Sequence, residues 1–118
     1  MSAPERVCSF AELEQDSALR VVVGGTPVAV VKDANGDVFA IGDTCTHGDI
    51  SLAEGFVETP GSGTPTLECW AHGSKFSLTS GKPLTLPAYQ PVPVFRVTVE
   101  GDDVLVDPTP VPASELPA

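Results

Sequence analysis

Positive charge is scarce in this chain: six Lys and Arg stand against sixteen Asp and Glu, a formal charge of −10 at pH 7. That balance argues against nucleic acid or an anionic membrane surface as partner and for a basic protein. Long apolar runs are missing as well. No stretch approaches the length of a membrane span, and "MSAPERVCSFAELEQ" has no basic segment followed by an apolar one. The expectation is a soluble, cytoplasmic protein with no membrane partner. Helical periodicity is almost absent. Only "FAELEQD" suggests a helix, of about two turns at most, with Ser9 as N-cap and Glu12 completing a capping box. Cysteine is rare and odd in number, Cys8, Cys45 and Cys69, which argues against a disulfide framework and for metal or reactive-thiol chemistry. At 118 residues the chain is expected to be one domain and a monomer, too short to carry a catalytic domain beside a cofactor module.

What is present is short, β-branched and punctuated by turns: "ALRVVV", GGT, "PVAVVKD", ANGD, "VFAIGD". This pattern predicts an all-β meander of antiparallel strands. Asn35-Gly36 signals a hairpin of type I′, which needs positive φ at both central positions. A second hairpin is expected from "PVFRVTV" and "DVLVD" around Glu100-Gly101-Asp102. Between these strands, residues 43 to 91 are rich in Gly, Pro, Ser and Thr and read as a loop-built site inserted into the scaffold. "ETPGSGTPT" is a turn-rich excursion within it. The tail "PTPVPASELPA", 108 to 118, has four prolines in eleven residues and reads as extended or disordered.

The only two histidines, His47 and His72, each lie within three residues of a cysteine. The chain carries Cys45-Thr46-His47-Gly48 and, after a 21-residue interval from His47, Cys69-Trp70-Ala71-His72-Gly73. Zinc fingers usually bring like ligands together, Cys with Cys and His with His. Here each cluster mixes one thiolate with one imidazole. A [2Fe–2S] centre with two cysteines on one iron and two histidines on the other needs that mixture, because each loop must serve both metals. A mononuclear zinc site is the competing account of the same four residues.

"CTHGDISLAEGFV" with "CWAHGSKFSLTSGKPLTLP" resembles the Rieske ferredoxin family in ligand type, order and following glycine. The resemblance implies a Rieske fold of small antiparallel β-sheets, with a domain over 1–107 whose cluster-binding part is about 43–91. It implies one [2Fe–2S] cluster, Cys45 and Cys69 on the inner iron and His47 and His72 on the outer. It also implies an electron carrier, not an enzyme, that takes electrons from a ferredoxin reductase and passes them to a terminal oxygenase of the ring-hydroxylating kind. Related sequences accompany iron–sulfur cluster assembly or serve as small subunits of nitrite reductase-like enzymes, and a zinc-stabilised interaction module is the third class.

Departures from the high-potential members are visible. Phe76 stands where they have a tyrosine, Ser74 keeps their Gly-Ser pair, and Ile50 and Ala71 fall where they carry a loop disulfide. Leu86-Pro87-Ala88 resembles the family's covering loop. Gly48 and Gly73 are expected at sharp turns beside the ligands. Trp70, Ile50, Leu52 and Phe56 are expected as apolar cover, Leu52 and Phe56 mainly through core packing. Asp43, Asp49, Glu54, Glu58 and Glu68 read as solvated charge around Lys75, and Cys8 as a half-buried thiol at a strand end.

Overall fold

The structure is a computed structural model that describes residues 4–44, 51–59, 65–70, 73, 75–84, 92–112 and 115. Among the described residues there are nine strands: β1 (Glu5–Ser9), β2 (Ser17–Val23), β3 (Thr26–Lys32), β4 (Val38–Gly42), β5 (Phe56–Glu58), β6 (Thr66–Glu68), β7 (Lys75–Ser77), β8 (Val94–Glu100) and β9 (Asp103–Pro110). They make a six-stranded sheet in the order β1-β9-β8-β4-β3-β2 and a three-stranded sheet in the order β5-β6-β7. Every pairing among them is antiparallel, as the meander predicts. Among the described residues no helix is long and apolar enough to cross a membrane.

The run "VAVV" in β3 is apolar at every position because both of its faces are buried. Val28 and Val30 point into one core with Val23, Ala40, Phe95, Val104 and Val106. Ala29 and Val31 point into the other, with Ile41, Leu52, Leu67, Cys69, Phe76 and Leu78. The first core is enclosed by the large sheet curling on itself: the Gly24 turn comes against Pro108, where an added Cβ would stand 3.1 Å from the proline ring. The second core is the wall on which the three-stranded sheet rests.

Local turn chemistry departs from the sequence expectation in two places. Asn35-Gly36 is not a two-residue type I′ turn. Among the described residues Asp16 is the only non-glycine at positive φ, so Asn35 is not. The loop is five residues long between Lys32 and Val38, organised by the buried Asp33 carboxylate, which accepts from the N–H groups of Asn35 (3.0 Å) and Asp37 (2.9 Å). An Asx-type turn thus competes with the primed hairpin and prevails. Positive φ at both positions occurs instead at Gly24 and Gly25, which join β2 to β3.

The capping box on Ser9 and Glu12 is present, but the helix it opens is a single 3-10 turn, Phe10–Glu12. Only Leu13 in this stretch is buried, so no apolar stripe exists to extend it. Cys8 is buried rather than half-buried, 3% exposed in the core of the large sheet. The tail enters the fold further than 107. Strand β9 runs to Pro110, the Val111 N–H donates to the Val94 carbonyl (2.7 Å), and Arg96 pairs with Glu115 (2.9 Å). Pairing of β9 with β1 ends at Val106, so the missing N–H groups of Pro108 and Pro110 break no ladder there.

Candidate metal centre

The second candidate segment is flanked by two strands of the three-stranded sheet. Strand β6 ends at Glu68 and β7 starts at Lys75, paired across from each other, so 69–74 is the loop of a hairpin. Phe56, the first residue of β5, faces Glu68 from the other side. The segment 45–50 returns to the described chain at Ser51, only a few residues before Phe56. The register Phe56↔Glu68↔Lys75 therefore sets the flanks of the second cluster beside the start of β5, and the chain before β5 leads back through Leu52–Glu54 to Ser51.

The first segment is clamped at its ends. Thr44 bridges to Ser51, and the Leu52 N–H donates to the Asp43 carbonyl at 2.6 Å. The Asp43 carboxylate accepts from the Ser51 hydroxyl (2.6 Å) and the Ala53 N–H (2.9 Å), and Arg20 of β2 pairs with it at 3.3 Å. Asp43 is 2% exposed. It is thus not the solvated charge expected of it but the group that holds the start and end of 45–50 together. Buried carboxylates persist when their lone pairs are satisfied, as here. Nothing local in the sequence gives this away, since its partners lie eight and ten residues later and on a different strand.

In the second segment, Cys69 is fully buried among Leu52, Leu67, Phe76 and Leu78. The Gly73 N–H turns back onto the Cys69 carbonyl at 2.9 Å, and Gly73 has φ +73°, the sharp turn expected of it. Gly55 packs so closely on this loop's root that a Cβ there would run into the Glu68 carbonyl. The Leu84 N–H also donates to the Lys75 carbonyl here (2.6 Å), whereas the Val92 N–H donates to Gly81 (2.9 Å) beyond the other end of β7.

Of the four candidate ligands, Cys69 is described; Cys45, His47 and His72 lie outside the described residues, as do Gly48, Asp49, Ile50, Ala71, Ser74 and Leu86-Pro87-Ala88. Leu52 is core, as expected. Phe56 is not: Val57 takes the inward position of β5, so Phe56 and Glu58 face solvent. Trp70 is half-exposed. Lys75 lies 3.2 Å from Glu58 and 3.8 Å from Glu68.

A cysteine enclosed by apolar side chains suits a thiolate that shares its charge with a metal, and imidazoles suit the more open positions of a mixed-ligand iron–sulfur site. The donor set thus fits a [2Fe–2S] cluster. The profile of the Rieske [2Fe–2S] domain matches residues 3–96. The ferredoxin component of biphenyl 2,3-dioxygenase from Rhodococcus jostii (strain RHA1) is 40% identical over 102 residues, 86% of this chain and 90% of the relative. The ferredoxin of carbazole 1,9a-dioxygenase from Nocardioides aromaticivorans IC177 superimposes with a TM-score of 0.83 at 31% identity, over 92% of this chain and all of that one. A complex of reduced oxygenase and oxidised ferredoxin in carbazole 1,9a-dioxygenase contains a chain that matches with a TM-score of 0.81 at 31% identity, over 94% of this chain and 98% of that one. By sequence and fold, this chain belongs to the Rieske [2Fe–2S] domain family, as a ferredoxin-type electron carrier and not an enzyme.

Proposed function

We propose that the chain holds one [2Fe–2S] cluster through Cys45, His47, Cys69 and His72, and as a monomeric cytoplasmic carrier moves single electrons from a ferredoxin reductase to the terminal component of a ring-hydroxylating oxygenase. The observation that supports this reading is at the described flanks: Thr44 bridges to Ser51 at the two ends of the first segment, and Leu52 beside it shares a core with Cys69 of the second. A cluster so held accepts and releases one electron. The protein's own part is threefold. Asp43 fixes the ends of the first segment, Gly73 turns the second, and the shared core excludes water behind Cys69. The oxygenase partner is supported by the relatives, which are named as dioxygenase ferredoxins, one of them in complex with its oxygenase.

The purified chain should be reddish brown, with two irons and two acid-labile sulfides per polypeptide. Alanine at Cys45, His47, Cys69 or His72 should each abolish the visible spectrum. Colourless protein holding a single zinc ion would overturn the reading, because Zn²⁺ is d¹⁰ and has no visible absorption.

A further inference from the structure

Across the three-stranded sheet, the row Phe56–Glu68–Lys75 continues to Leu84, which lies opposite Lys75 through the Phe76↔Pro83 bridge. Directly opposed residues in a sheet share a face, and the neighbouring row, Val57–Leu67–Phe76, is the one that enters the core. The outer row therefore faces solvent, and its two ends are large apolar side chains: Phe56 is 61% exposed and Leu84 54%. Trp70, next to Cys69 in the adjoining loop, is 50% exposed. Glu58 and Glu68 both lie within 4 Å of Lys75 between them, so the middle of this face is negative overall.

Among the described residues, the other exposed large apolar side chains do not gather. Leu19 and Val22 stand three apart on β2, hence on opposite faces, and Val99 is on β8. Two apolar ends of a row with an acidic middle, and an exposed Trp70 two residues beyond Glu68, on a chain of charge −10, favour a particular kind of partner. A second copy would bring the same glutamates and the same net charge, and an anionic membrane is repelled for the same reason.

We propose that Phe56, Trp70 and Leu84, with Glu68 in the row and Glu58 beside it, form the docking face for a redox partner whose own face is an apolar hollow rimmed by Lys or Arg. This rests on the carrier reading above. Apolar anchors set the lifetime of such a complex, and the carboxylates set the encounter rate.

The test uses the loaded, full-length chain, reduced with dithionite and freed of excess reductant. Cytochrome c, a basic protein with a lysine-rimmed haem edge, is the acceptor, and ferricyanide is the small-molecule control. In each reaction one electron leaves the ferredoxin, which is oxidised, and the ferric acceptor becomes ferrous; no proton or bond is exchanged. Phe56→Ser, Trp70→Ser and Leu84→Ser should each lower the cytochrome c rate at low salt by about fivefold, as loss of an interface anchor does. Val22→Ser and Val99→Ser, equally exposed but elsewhere, should leave it unchanged. Glu58→Lys should slow it too, and the wild-type rate should fall as salt rises. Unaltered rates in the three site variants, or equal losses in the two controls, overturn the docking face. A wild-type chain that delivers electrons to neither acceptor overturns the carrier reading instead.

Discussion

The strands of the six-stranded sheet run five to eight residues; those of the three-stranded sheet run three each. The large sheet encloses a core of its own by curling, whereas the small one has no core except the wall it shares, where Leu67 and Phe76 meet Ala29, Val31 and Ile41. A sheet of three-residue strands does not stand alone in water. The site is thus carried by the part of the molecule with the least stability of its own. The six-stranded scaffold supplies, through alternate residues of β3, β4 and β8, the surface that the site folds against.

The sharpest way to break this contrast is to empty one core at a time. Phe76→Ala and Phe95→Ala each remove a buried aromatic ring, one from each core, and each should cost about 3–5 kcal/mol. Their distribution should differ. Phe76→Ala should speed amide exchange in β5, β6 and β7 and release iron while β3 and β4 stay protected; Phe95→Ala should weaken the whole chain. Equal acceleration in both sheets after Phe76→Ala would mean that the two regions open as one unit.

A smaller effect separates two buried carboxylates. Asp33 and Asp43 are equally buried, and each accepts two or more hydrogen bonds from its surroundings, Asp33 in a scaffold turn and Asp43 beneath the first ligand segment. Replacing either by Ala should cost about 1–3 kcal/mol, since the donors it served are left without it. Only Asp43→Ala should also lower the iron-to-protein ratio, and Asp43→Asn should recover part of it. If Asp33→Ala loses iron to the same extent, Asp43 has no special part in the site.

The smallest effect concerns the capping box on the scaffold. The Ser9 hydroxyl and N–H hold the Glu12 carboxyl below the ordinary carboxylate range. A depressed folded pKa contributes stability above the unfolded value, about 4.3, and that contribution fades as pH falls through the lowered pKa. Glu12→Ala should therefore lower Tm slightly at neutral pH, by an amount that shrinks in acid. A difference unchanged at roughly pH 3 would show that the charge is not what the box contributes.

Much of this was legible in the sequence where the signal is local. The meander, the Ser9–Glu12 box and the hairpin at Gly101 all depend on residues within a few positions of one another. Legibility failed where a distant partner decides. Asp43 looks like one more acidic residue until Ser51, Ala53 and Arg20 converge on it. Phe56 looks like core until the β5 register gives the inward position to Val57. Asn35-Gly36 carries the strongest hairpin signal in the chain, yet the carboxylate two residues before Asn35 organises a longer loop. The proline-rich tail concealed three strand residues, because a proline count cannot show which side of a strand lacks a neighbour.

The connection between β5 and β6 leaves from the pair Glu58↔Thr66, at the opposite end of the small sheet from the pair Phe56↔Glu68 beside the ligand segments. Thr59 at its start is tied to the scaffold by accepting from the Ala34 N–H (3.1 Å). The number of residues separating Cys-x-His from Cys-x-x-His is therefore set in part by a connection whose two ends lie at Glu58 and Thr66, away from the pair Phe56↔Glu68. Lengthening it adds only about 0.6 kcal/mol of closure entropy per doubling. A sequence pattern meant to find such proteins should hold Cys-x-His and Cys-x-x-His rigid and leave the distance between them elastic. The same stretch is where a reporter or a tether could be inserted with the centre left undisturbed.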